Sequence, residues 1–72
     1  MLSFNTRLKD LRALHNLKQT DVANILGLGV RVIQAYESGD RTPPIEKMVT
    51  LADYFDVSLD YLVGRSDDPR RH

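Results

Sequence analysis

Between Gln19 and Ser38 two groups of apolar residues at helical spacing stand on either side of a pair of glycines. Val22, Ala23 and Leu26 form the first group, Val32, Ile33 and Tyr36 the second, with Gly27 and Gly29 between them. Few arrangements satisfy this pattern. Gly27 can take the positive φ that a tight turn between helices needs, Ala23 is small enough for a second helix to cross closely, and Ile33 returns to pack over the first. The stretch predicts two short helices, 19–26 and 30–38, the second ended by Gly39 at the position after its last turn.

The flanking segments read as supports for that helix-turn-helix. Phe4, Leu8, Leu11 and Leu14 follow i, i+4, i+7, i+10 and place one apolar stripe on a helix of about residues 5–15, with Ser3 or Asn5 as cap. Arg7, Lys9, Asp10 and Arg12 fall off that stripe, and most of them are expected in solvent. Leu17 packs down as the chain turns. Lys18 is a poor residue to cap the second helix, although Asp21 in its first turn suits the helix dipole. Asp40 to Pro44 is a loop, since its two prolines can start a helix but not continue one. From Ile45, the positions Met48, Leu51, Ala52 and Phe55 predict a fourth helix. Ser58 is placed to cap a short fifth one carrying Leu59, Leu62 and Val63, which Gly64 stops. The last eight residues, RSDDPRRH, have nothing to bury and read as a disordered tail or linker remnant. The expected organisation is one all-α domain, residues 1–64, followed by a tail, residues 65–72, with no strand pattern and no repeat.

Seventy-two residues can make one small domain, and the absence of cysteine removes disulfides, thiolate zinc sites and thiol nucleophiles. No apolar run approaches the roughly 18 residues of a membrane span, and MLSFNTRLKD lacks the apolar segment of a secretory signal. A soluble cytoplasmic protein with no membrane partner is expected. The net charge is zero, but it is unevenly spread. Residues 1–41 carry a net +2, residues 42–64 a net −3 and the tail a net +1. A polyanion would meet the front half and avoid the acidic back. Catalysis has no support, because His15 and His72 have no serine nucleophile and orienting acid nearby. Asp53, Asp56 and Asp60 lack the dense ligand loop of a calcium site and read as a solvated acidic face, so no metal and no cofactor is expected.

Helix geometry marks a candidate reading face. Arg31, Gln34, Ala35 and Ser38, at i, i+3, i+4 and i+7, line the side of the third helix opposite Ile33 and Tyr36. In a major groove Arg31 can pair bidentately with guanine, Gln34 with adenine, and Val30 or Ala35 can meet a thymine methyl.

Over residues 6–64 the chain resembles the Cro and phage-repressor type of helix-turn-helix, the Xre-like transcriptional regulators of bacteria and phages. The resemblance rests on RLKDLRALHNLKQTDVANILGL, IQAYESGDRTPPIEKMVTLADYF and VSLDYLVG, and on the joint spacing of Gln19, Ala23, Gly27, Ile33, Tyr36, Glu37 and Gly39. It implies a compact five-helix lambda-repressor-like domain that binds double-stranded operator DNA as a regulator, most commonly a repressor, with two copies on a pseudo-palindrome. Carried over by position, Gln19 bonds a phosphate and braces the turn. Arg12 and Glu37 form a salt bridge between the first and third helices, and Ser38 and Arg41 lie near the DNA backbone. Gly29 stands at a backbone-contacting cap where the family favours Ser or Thr. Val30 and Val32 flank Arg31 where polar residues are usual, which leaves the face thin in hydrogen-bonding groups. That departure motivates an alternative reading, a protein-interaction module on the same fold that holds a regulatory partner in the manner of an antitoxin or antirepressor.

Overall fold

A computed structural model describes residues 3–71; the first two residues of the expected domain, and His72 at the end of the tail, lie outside the described residues. Five helices follow one another: α1 (Phe4–Leu14), α2 (Gln19–Leu26), α3 (Val30–Ser38), α4 (Ile45–Phe55) and α5 (Leu59–Leu62). The bounds of α2 and α3 are those the glycine punctuation predicts, and α1 starts and ends one residue early. α3 packs on α2 and α1, while α4 and α5 pair with each other and close the back against α2 and α1. Leu8, Val22, Ile33, Leu51 and Leu62, one from each helix, are fully buried at the centre. Two helices alone would leave the rear of the helix-turn-helix wet, and the closing pair covers it.

The turn works as the glycines require. Gly27 adopts φ +68°, and the chain reverses there with Leu28 N–H donating back to Ala23 O at 2.9 Å. An L side chain at that φ would be strained. Lys18 offers no side-chain acceptor, so the start of α2 is held instead by Asp21, whose carboxylate accepts from Lys18 N–H at 2.7 Å. Ser58 does cap α5, accepting from Tyr61 N–H at 3.0 Å. Ser3 occupies the cap position of α1 without a side-chain capping bond.

Three expectations about the periphery need correction. Leu14 is 76% exposed, because α1 outruns the core at its last residue. Arg7 is buried, not solvated: it sits i+3 from Phe4 and i−4 from Leu11, and its guanidinium lies 3.8 Å above the Tyr61 ring and 3.2 Å from Asp67. Burial pulls its pKa down, but Tyr61 and Asp67 outweigh that and leave it above the ordinary value. The segment after Gly64 is also folded back. Pro69 O accepts from Ser58 N–H at 3.0 Å, and Arg71 bonds Asp53 at 2.6 Å and Ala52 O at 3.3 Å. Its contacts are polar and electrostatic, which a count of apolar residues does not register.

Lys47, on the inner side of α4, reaches across to the end of α2 and donates to Leu26 O at 2.9 Å. A cation there satisfies an orphan carbonyl and complements the negative end of the α2 dipole. Lys47→Met should therefore cost about 1.5 to 3 kcal/mol by denaturant titration, the range for a charge-assisted hydrogen bond; an unchanged midpoint would remove the clamp from the account. Among the described residues no helix is long and apolar enough to cross a membrane.

Candidate nucleic-acid interface

α3 is divided lengthwise by its own sequence. Ile33, Tyr36 and Glu37 are buried, Val32 packs half-buried against the core, and Arg31, Gln34 and Ser38 are exposed, with Val30 and Ala35 half-buried at the margin. The burial of Val32 gives one of the two apolar neighbours of Arg31 a structural reason to be apolar, and to that extent it weakens the motive for a protein-docking face. The side chain of Arg31 makes no hydrogen bond or ion pair among the described residues, and neither does that of Arg41 in the loop after α3. Both keep their full donor sets available.

Behind that face lies a connected polar network. Arg12 Nε donates to Glu37 Oε2 at 2.7 Å, and Arg12 Nη2 to Glu37 Oε1 at 3.2 Å. Arg12 Nη1 donates to Leu17 O at 3.0 Å, tying the α1–α2 connection into the same knot. The Glu37 side chain is 5% exposed and that of Arg12 22%, so the pair is largely removed from water. Gln19 Nε2 joins by donating to Glu37 Oε1 at 3.0 Å, and Gln34 Nε2 donates in turn to Gln19 Oε1 at 3.4 Å. Four of the residues singled out in the sequence, Arg12, Gln19, Gln34 and Glu37, are thus brought into one chain of bonds. Only the Arg12–Glu37 link was anticipated. The bond between Gln19 and Gln34 spans fifteen positions and has no sequence signature.

Other candidate residues stand apart from this network. Ser38 turns inward: its hydroxyl donates to Ala35 O at 3.1 Å and accepts from Asp40 N–H at 3.3 Å, so its one donor hydrogen closes the end of α3. Gly29 begins α3 with no side-chain cap, and nothing lies within 4 Å of where its Cβ would stand. The start of α3 therefore has no side-chain acceptor, although Val32 N–H donates to Gly29 O at 3.1 Å, and the positive end of the helix dipole lies next to the unengaged side chain of Arg31. Among the described residues no group of three or more His, Asp or Glu side chains converges as a metal site.

A short helix packed behind a second one, whose outer face carries free hydrogen-bonding groups on a braced scaffold, defines the helix-turn-helix class. Residues 8–62 match the family described as Helix-turn-helix, and the chain belongs to that family. It is 40% identical, over 88% of its length and 56% of the relative's, to an uncharacterized HTH-type transcriptional regulator, YobD, of Bacillus subtilis. It is 36% identical, over 89% of its length and 58% of the relative's, to the cryptic phage CTXphi transcriptional repressor RstR of Vibrio cholerae. The chain spans a little over half the length of these relatives. Its fold is that of the P22 c2 repressor protein, solved in complex with a synthetic operator: TM-score 0.82 at 20% identity, over 92% of this chain and all of the other. The five-helix lambda-repressor-like architecture expected from the sequence is the one found.

Proposed function

We propose that this domain is the operator-reading part of a cytoplasmic transcriptional regulator, a repressor by analogy with RstR, which binds double-stranded DNA with α3 in the major groove. The observation that carries the reading is the division of α3: a buried face packed against α2 and an exposed outer face that carries Arg31, with its side chain unengaged, and Gln34, which spends one N–H on Gln19. Arg31 pairs with guanine O6 and N7, Gln34 with adenine, and Val30 and Ala35 lie against thymine methyls. Gln19, the N–H groups after Gly29, and Arg41 hold phosphates on either side; Ser38 joins them by exchanging its bond to Ala35 O. As a homodimer the protein would address two half-sites about one helical turn apart. Partner binding on the same fold keeps less support, since Val32 is committed to the core.

Titration with a duplex selected from a random pool and with its scrambled counterpart, at several salt concentrations, tests this. Binding should weaken steeply as salt rises; no binding even at low salt would rule the reading out. Arg31→Ala should relax discrimination at a single base pair by about 1 to 3 kcal/mol while the fold melts unchanged. A uniform loss over all sequences would instead assign Arg31 to a phosphate.

A further inference from the structure

We infer that Glu37, buried and out of reach of DNA, is a positioning residue that sets which end of the Gln34 amide faces the groove. The inference rests on the reading of α3 as the recognition helix. A carboxylate only accepts hydrogen bonds, and a guanidinium only donates. With Arg12 holding both oxygens of Glu37, the end of Gln19 that meets Glu37 Oε1 has to be its NH2, as the 3.0 Å contact has it. The amide of Gln19 is thereby fixed, and its carbonyl oxygen is the end left facing α3. Gln34 can answer an acceptor only with its own NH2, and Gln34 Nε2 does lie on that oxygen, at 3.4 Å. One charge, clamped by a second, thus sets the polarity of two neutral amides in succession.

Each amide keeps a useful remainder. Gln19 retains a second N–H for a phosphate. Gln34 retains its carbonyl oxygen and one N–H, the acceptor and donor that complement N6–H and N7 of adenine. A free glutamine can present those groups in either order; one held by Gln19 presents them in one.

The test compares base preference across variants. A duplex selected from a random pool is bound by the wild type and by Gln34→Ala, and the base pair whose preference Gln34→Ala loses is the one Gln34 reads. At that pair the wild type should favour its base about tenfold, in the range of one bidentate contact. Glu37→Gln cannot accept at both of its positions, so Gln19 is released to turn either way. Preference at that pair should fall to within about twofold, with preference at the other pairs and the salt slope retained. If Glu37→Gln folds poorly, Gln19→Met breaks the relay while leaving the Arg12–Glu37 pair intact, and should relax the same base pair on top of a uniform loss of affinity. A Glu37 that merely stabilises the fold would shift the melting temperature and weaken all duplexes alike. Full preference at the Gln34 pair in both Glu37→Gln and Gln19→Met, or no pair that Gln34→Ala relaxes, overturns the inference. Failure of the wild type to bind any duplex would instead overturn the function it rests on.

Discussion

Ile33→Ala is expected to destabilise the domain by about 3 kcal/mol, within the range for truncating a fully buried aliphatic side chain. Ile33 has no exposed surface and sits on the inner face of α3, the element that packs against both α2 and α1. Its loss leaves a cavity at the crossing that sets the angle of the recognition helix. The neighbours cannot close it cheaply, because Ala23 on α2 is already small and Gly27 fixes where the chain reverses. A domain of this length carries a total stability of roughly 5 to 15 kcal/mol, so the substitution removes a large share of it. The expected fall in melting temperature is about 12 to 24 °C. Val32→Ala, one residue away but only half-buried, should cost about 1 kcal/mol. A melting shift for Ile33→Ala no larger than that of Val32→Ala would show that the crossing tolerates repacking.

The core place of Ile33 is visible in the sequence, since period and punctuation assign it there, whereas the half-burial of Val32, in the same apolar group, is settled only by the packing of α3. The bounds of α2 and α3, the glycine reversal, the caps at Gly39 and Ser58 and the stripe of α4 all follow from local rules that act over a few residues. The outward placement of Arg31 and Gln34 follows too, because a helix with one apolar side has only one other side to offer. The periphery did not follow. Arg7 falls off the Phe4, Leu8, Leu11 and Leu14 stripe, which argued for solvent, and only Tyr61 and Asp67, more than fifty positions away, make its burial tolerable. The tail docks through main-chain and ionic contacts to the ends of α4 and α5, which leave no mark on hydropathy. Nothing in the sequence singles out Lys47, whose role depends on the end of α2 lying within its reach. Within the candidate site the individual residues were legible and their wiring was not: Ser38 is engaged by its own helix, and the bond between the two glutamines depends on where α2 and α3 come to rest.

The wiring also predicts the second large effect. Glu37→Ala should cost about 3 kcal/mol, more than the removal of an exposed ion pair, for which about 0 to 1 kcal/mol is usual. Glu37 receives three hydrogen bonds, two from Arg12 and one from Gln19, at a site where its own side chain is 5% exposed. Deleting it leaves a guanidinium and an amide facing a space that alanine does not fill, and the uncompensated partner dominates the cost of breaking such a pair. Arg12 is not wholly sealed, at 22% exposure, and it keeps its bond to Leu17 O, so water and that carbonyl recover part of the loss. This places the expected value at the lower end of the range for buried pairs, about 3 to 5 kcal/mol. A double-mutant cycle of Arg12→Met, Glu37→Leu and their combination separates the components. Arg12→Met alone strands the Glu37 carboxylate, and it should be at least as damaging as Glu37→Ala. Arg12→Met combined with Glu37→Leu removes both charges and replaces them with apolar volume, and should regain much of the stability while still losing the fixed orientation of Gln19. A stable double variant whose binding preference has relaxed at the Gln34 base pair would show that the ion pair serves recognition more than folding. If the double variant is no more stable than either single one, the pair is instead a net contributor to the fold.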